Sequence, residues 1–330
     1  MIDLKSPEID FAIQAVRQAS TLVQFIQTEL VSPALTKDDR SPVTVADFVS
    51  QALIGNLIKK VFPDDPLVAE EDSKTLKSPE AADTLEKVTR FVSLAIPKAT
   101  SQEICNWIDH GGGATTSRFW TLDPIDGTKG FLRGDQYVVA FALIVNGIPQ
   151  IGVLGCPKLT DAHLPDLNGQ GSLVVAALDQ GTWTTDLASP GSFEQLRVSS
   201  QSNPVQARLL RSFESSHTNV SQIDRFSQEL GIQAEPVRMD SQAKYAVLAA
   251  GKGELLLRLL SPSKPDYREK IWDQAAGSII LREAGGRITD LDGKSLDFQA
   301  GRALINNRGI LASNNLLHEP ALNTLKAITA

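Results

Sequence analysis

Asp123 and Asp126 stand three residues apart in "DPIDGT", with Pro124 and Ile125 between them. Carboxylates that close repel each other unless a positive charge lies between them. A strand over Phe119 to Leu122 is expected to end at Asp123, so that Asp123 and Asp126 bracket a turn in which Pro124 fixes its own φ and orients the Ile125 carbonyl. Two carboxylates and a carbonyl are hard oxygen ligands, suited to Mg²⁺ and not to zinc. Gly127 and Thr128 follow at a predicted helix start, where free backbone N–H groups can receive a phosphate oxygen. One short stretch could therefore hold cations and the anion they bridge. The same letters also fit an ordinary Asp-Pro turn with a helix cap.

Further acids fall at predicted element ends. Glu70, Glu71 and Asp72 follow the apolar run Leu67 to Ala69, Asp47 follows "VTVA", and Asp273 follows Trp272 at a helix start. Strand ends and helix starts are where metal ligands converge, although each acid alone also reads as a solvated cap. A second set of residues suits an anion. "MDSQAKYAVLAAG" starts a helix at Asp240 or Ser241 with Lys244 in its first turn, and a helix start with a hydroxyl and a lysine attracts phosphate. Arg258 ends the run "GELLLR", and His217 lies in a loop after "RSFE". Surface or ion-pair roles remain open for all three cations.

The elements that must carry these residues alternate in character. Apolar residues at helical spacing predict a helix from Asp10 to Leu30. An extended piece is expected over Ser41 to Val45, then a helix to about Val61. Residues 74 to 117 read as helical in patches, ending in "HGGGATTSR", a loop expected to be mobile. Asn146-Gly147 joins two apolar β-runs and signals a hairpin; a second hairpin turns near Asp179 to Gly181. From about residue 207 strands and helices alternate, which suggests an α/β layer. Gly285-Gly286 is a helix stop. These patterns predict an α/β protein with an α+β N-terminal domain over residues 1–200, bearing an antiparallel sheet and most of the acids. An α/β domain over 201–330 would then hold the anion site.

Composition bounds the function. The 330 residues carry 42% hydrophobic and 22% charged residues with a net charge of -7. That is ordinary for a soluble globular chain and wrong for a non-specific nucleic-acid binder, which needs a basic surface. Cys105 and Cys156 form neither a disulfide framework nor a zinc signature, and they fit a reducing compartment. The first twenty residues show no leader, and the longest apolar run, "VVAFALIV", is far short of the roughly 20 residues that span a bilayer. A cytoplasmic monomer with a small-molecule substrate, no nucleic-acid polymer and no membrane partner is expected.

"VAEED", "DPIDGTKGF" and "YREKIWDQAAG", in this order, resemble the inositol monophosphatase superfamily of Mg²⁺-dependent, lithium-sensitive phosphatases. Within it, "SPVTVAD", "DPIDGTKGFLRGDQY", "SFESSH", "MDSQAKYAVLA" and "YREKIWD" are similar to the 3'(2'),5'-bisphosphate nucleotidases. The similarity runs from the first helix to "GILASN". It implies a layered αβαβα sandwich of the inositol monophosphatase/fructose-1,6-bisphosphatase type. It also implies two or three Mg²⁺ ions held by Glu70, Asp123, the Ile125 carbonyl, Asp126 and Asp273. By the same resemblance Asp47 and Thr128 activate the attacking water, while Gly127, Thr128, His217, Ser241, Lys244, Arg258 and Asp273 meet the nucleotide and its phosphates. The implied reaction removes the 3'-phosphate of adenosine 3',5'-bisphosphate, and also that of 3'-phosphoadenylyl sulfate, within sulfate assimilation. Phosphatases acting on inositol polyphosphates or fructose bisphosphate, and a non-catalytic metal- or nucleotide-binding regulator, are the competing readings.

Overall fold

The structure is a computed structural model that describes residues 2–30, 41–189, 191–213, 220–261 and 264–329. Its larger sheet is built from β1 (Leu67–Ala69), β2 (Arg118–Asp126), β3 (Val138–Val145), β4 (Ile148–Cys156), β7 (Ser172–Ala177), β8 (Gly181–Asp186) and β9 (Glu194–Leu196), in that spatial order. Only the β1–β2 pair is parallel. A two-stranded ribbon, β5 (Leu159–Thr160) and β6 (Leu164–Pro165), stands apart. The smaller sheet has the order β11 (Val237–Arg238), β10 (Leu209–Arg211), β12 (Leu255–Arg258), β14 (Ile310–Ser313), β13 (Arg287–Thr289).

Helices cover both sheets in five layers, as the αβαβα expectation requires. The outer helices α1 (Pro7–Leu30) and α2 (Ser41–Val61) pack on one face of the large sheet, flanked by α3 (Ala82–Ala95) and α4 (Ser101–Asp109). On its other face lie α7 (Ala243–Ala249) and α8 (Ala275–Glu283), between the sheets. The helices α6 (Val220–Leu230) and α9 (His318–Thr329) close the far side of the small sheet, and α5 (Thr128–Arg133) follows β2 directly.

Period-two alternation sorts the side chains into these layers. Trp120, Phe141 and Leu143 face α1 and α2, whereas Phe119, Ala140 and Ala142 face α7 and α8. Trp120 and Phe141 stack with centroids 4.8 Å apart, and Phe11 of α1 meets Trp120 edge-on at 5.4 Å. Truncating so buried a ring as Phe141 to alanine costs about 3–5 kcal/mol. In the small sheet Leu256 joins the middle layer while Leu255 and Leu257 face α6 and α9. Gly152 lets α8 lie close on β4, for a Cβ there would sit 2.4 Å from Ile279.

Three expectations need correction. Residues Ser41 to Val45 are helical, not extended. Thr44 and Val45 are β-branched and bias the pattern toward a strand, but Pro42 suits a first helical turn, where its missing N–H is not needed. The strand preceding "DPIDGT" does not stop at Asp123 but runs to Asp126. Asp123 pairs with Ala140 and Asp126 with Val138, so Pro124 and Ile125 stand against Val139 alone. The proline sits in this bulge, where no ladder N–H is required. Third, the glycine loop after α4 is tied down. Gly113 N donates to the Leu67 carbonyl at 2.9 Å, Gly112 bridges to Val68, and a Cβ on Gly111 would lie 2.4 Å from the Gln51 amide. Those glycines serve close approach to β1.

The hairpin readings hold. Asn146 (φ 50°) and Gly147 (φ 74°) turn β3 into β4 as a type I′ pair, and Asp179 (φ 62°) and Gly181 (φ 79°) help turn β7 into β8. Gly285 ends α8 at φ 93°, and Gly286 N returns to the Leu281 carbonyl at 2.9 Å.

Candidate active site

A cleft of about 210 Å³ opens where strand ends of both sheets meet the starts of α5, α7 and α8. Glu70 follows the last residue of β1, Asp123 and Asp126 flank the β2 bulge, and Asp273 stands in the turn before α8. These four acids line the cleft together with Ile125, Gly127 and Thr128. Ser241, Lys244 and Arg258 line it from the small-sheet side. Asp47 lies behind, on α2, only 6% exposed. No hydrogen bond joins Asp47 to Thr128 among the described residues, and catalytic bonds are often long before substrate arrives. His217 of the predicted set, with Ser215 and Ser216, lies outside the described residues.

The acids resist ionisation. Burial, then Glu71 and Glu70, pushes the Asp47 carboxyl well above the usual carboxylate range. Burial, then Glu70, Asp126, Asp273 and Asp47, does the same to Asp123. Asp273 is raised by burial and by Glu269, and Glu70 is pushed up to about 7 by burial, Glu71 and Asp126. Asp123 Oδ1 is buried and meets no hydrogen-bond donor. No three of the described His, Cys, Asp and Glu residues are already arranged to hold a metal ion. An orphaned buried carboxylate oxygen, surrounded by further acids, is the donor chemistry that a hard divalent cation completes. The residues fit such a cation.

The facing residues are cations whose bonds lie inside the protein. Lys244 is 4% exposed, and its Nζ donates to Ser212 Oγ at 3.1 Å and to the Met239 carbonyl at 3.2 Å. Burial lowers it to about 8, against the opposing pull of Asp126. Arg258 Nε lies 2.9 Å from Glu269 Oε2, a close ion pair whose N–H is not aimed along a hydrogen bond. Burial opposes the Arg258 charge, but Glu269 and Asp273 hold it charged. Glu269 also accepts from Gln274 Nε2 at 2.9 Å. Asp126 Oδ2 takes the Gln242 N–H at 2.6 Å, linking β2 to the start of α7.

Residues to which the sequence reading gave no role in binding or catalysis complete the rim. Arg133 of α5 pairs with Asp240 and lies 5.9 Å from the Phe213 ring centroid, while Tyr267, Ser212 and Asp240 line the cleft. Arg133 belongs to the quoted "GFLRGD" and Tyr267 to "YREK", but nothing in the letters pairs residues 107 apart.

The layered fold, the acid cluster at strand ends and the bulged "DPIDGT" strand define a sandwich of the type built for phosphoester chemistry. Residues 5–330 match the model of the inositol monophosphatase family, and the chain belongs to that family. A 3'(2'),5'-bisphosphate nucleotidase of Schizosaccharomyces pombe is 40% identical over 343 residues, covering 98% of this chain and 96% of the relative. One from Oryza sativa is 42% identical over 341 residues, covering 97% and 93%. The solved inositol monophosphatase of Anabaena (Nostoc) sp. PCC 7120 superposes with a TM-score of 0.64 at 20% identity, covering 98% of this chain and 97% of that one. CysQ of Bacteroides thetaiotaomicron, a bacterial member of the family, gives a TM-score of 0.59 at 16% identity, covering 93% and 97%. Both structures share the fold. Members of the family are generally metal-dependent. No helix among the described residues is long and apolar enough to cross a membrane.

Proposed function

We propose that the chain removes the 3'-phosphate of adenosine 3',5'-bisphosphate, giving AMP and phosphate. 3'-Phosphoadenylyl sulfate is its second substrate, which assigns the chain to sulfate assimilation. The observation that carries this reading is the pairing, in one cleft, of clustered acids, one with a buried oxygen that meets no donor, and a facing wall that bears Lys244 and Arg258. A bisphosphate needs both, because a remote dianion left unpaired is not retained.

Glu70, Asp123, Asp126, Asp273 and the Ile125 carbonyl would hold two or three Mg²⁺ ions. When bound, the metal supplies charge neutralisation at the reacting phosphate and acidifies the attacking water, which matters because phosphate monoesters hydrolyse extremely slowly unaided. Asp47, kept basic by burial and by the neighbouring acids, takes the proton from the attacking water, with Thr128 fixing that water's orientation. Gly127 and Thr128 present backbone N–H groups to the reacting phosphate. Lys244, Ser241 and Arg258 hold the phosphate that is not cleaved, and His217 meets the nucleotide. Li⁺ entering the oxygen site would leave the transition state under-neutralised and inhibit. The enzyme acts as a cytoplasmic monomer in this reading.

A phosphate-release assay over adenosine 3',5'-bisphosphate, inositol 1-phosphate and fructose 1,6-bisphosphate, with and without Mg²⁺, tests it. Release fastest from the adenosine compound and dependent on Mg²⁺ is expected. Faster release from either of the others, or none from any, would overturn it.

A further inference from the structure

We propose that Arg302 is a positioning residue for the cation site, holding the Glu70 segment and the Asp273 segment in register across the two sheets. The inference rests on the cation-site reading above. Glu70 and Asp273 lie on distant parts of the chain, and each follows a residue that Arg302 touches. Its Nη2 donates to the carbonyl of Ala69, the residue before Glu70. Its Nη1 donates to the Gly111 carbonyl at 3.0 Å. The guanidinium lies 4.9 Å from the ring centroid of Trp272, the residue before Asp273. The backbone is tied to the same segment: Ile271 N donates to the Arg302 carbonyl at 3.2 Å, Lys270 bridges to Ala303, and Leu304 N donates to the Glu269 carbonyl at 2.9 Å.

The other side of the Glu70 segment is held independently. Gln51, one turn beyond Asp47 on α2, accepts the Glu71 N–H at 2.9 Å and donates to the Glu71 carbonyl at 2.6 Å and the Ile108 carbonyl at 2.8 Å. Gln51 therefore fixes Glu70 relative to Asp47, and Arg302 fixes it relative to Asp273. Acids that repel one another need such external restraint if a cation is to find its ligands already spaced. A planar fork can satisfy two carbonyls while its face lies on an indole; an ammonium is a point charge and cannot reproduce that combination. Arg302 itself is exposed to solvent.

The test uses Arg302→Met and Arg302→Lys in the full chain, with Arg308→Met as the control that loses an exposed ion pair (to Asp292) in the same half. Two Mg²⁺ titrations are read: the rise in melting temperature without substrate, and the activation of phosphate release at fixed nucleotide. Arg302→Met should need about tenfold more Mg²⁺ for half the effect in both titrations, the lower end of what supporting groups cost a metal site. Nucleotide KM at saturating Mg²⁺ should stay near wild type. Arg302→Lys should recover only part of the loss, and Arg308→Met should titrate like wild type. A lowered melting temperature with unchanged Mg²⁺ requirement would make Arg302 merely structural and overturn the proposal, as would failure of both Arg302 variants to fold. Asp123→Asn in the same titration separates the two levels. If it too leaves the Mg²⁺-induced rise intact, the cation-site reading itself falls. If it abolishes the rise while Arg302→Met titrates normally, only the role of Arg302 falls.

Discussion

On one side of the cleft Asp123 is buried with an oxygen that meets no donor. On the other, Lys244 is buried almost as deeply but gives its ammonium two oxygen partners, Ser212 Oγ and the Met239 carbonyl. In the acid wall burial, and after it like-charged neighbours, raises Asp47, Glu70, Asp123 and Asp273. The basic wall has internal counter-charges: Glu269 holds Arg258 charged, and Asp240 pairs with Arg133. A wall that satisfies itself can be rigid before ligand arrives. A wall of mutually repelling acids is complete only with a cation from solution. In the proposed reaction the basic wall positions a substrate and the acid wall, once loaded, does the chemistry.

The largest effect should come from removing charge at the acid wall. Asp123→Asn replaces one carboxylate oxygen with an amide nitrogen and removes the negative charge beside the unpartnered Oδ1, and turnover at fixed Mg²⁺ should fall by orders of magnitude. Steady-state assays across a Mg²⁺ series check this, and near-wild-type activity with unchanged Mg²⁺ dependence would erase the contrast between the walls.

A smaller effect follows from Lys244, lowered by burial to about 8. The charged form is present below that value and is lost as pH rises through it. KM for adenosine 3',5'-bisphosphate should therefore climb by about fivefold between pH 8 and pH 9, while KM for a monophosphate moves much less. Parallel pH profiles for the two substrates read this directly.

The smallest change at working pH concerns a group outside the cleft. His318 is buried in the α9 layer, Nδ1 2.9 Å from Ser313 Oγ and Nε2 3.0 Å from Thr289 Oγ1. Thr289 Oγ1 donates to the Asp290 carbonyl, so Nε2 carries the proton and Nδ1 accepts from Ser313. Burial, then Arg287, depresses His318 from its ordinary 6.5 to about 4. Neutral His318 stabilises the fold fully above 6.5, and that share, on the order of 3 kcal/mol, is lost as pH falls from 6.5 toward 4. Between pH 7 and pH 4.5 the urea midpoint of wild type should drop relative to that of His318→Gln; the difference between the two proteins isolates His318 from the raised acids of the cleft, which titrate with the opposite sign.

How much of this was legible in the letters depends on range. "DPIDGT", the Asn146-Gly147 turn and the Gly285 stop are local chemistry, and each is where its sequence implies. That the acids would gather in one cleft was legible because most of them follow apolar runs that announce strand ends. The bulge was not, because Pro124 inside a ladder reads as a break until a neighbouring strand shows two residues set against one. The "HGGG" run reads as freedom, yet it is the approach of Gln51 and β1 that demands glycine there. Pairings such as Arg133 with Asp240, or Arg302 with the Ala69 carbonyl 233 residues away, carry no periodicity and exist only once both sheets are assembled.

The division of labour between the walls is tested most directly by one pair of ratios: kcat/KM for adenosine 3',5'-bisphosphate over kcat/KM for 3'-AMP, in wild type and in Lys244→Ala. A charge-assisted contact to the uncleaved phosphate contributes roughly 1.5–3 kcal/mol, so the ratio should drop by about tenfold to a hundredfold while 3'-AMP hydrolysis is little changed. An equal fall on both substrates would mean that Lys244 supports the fold or the reacting phosphate, and that the two walls do not divide the two phosphates between them.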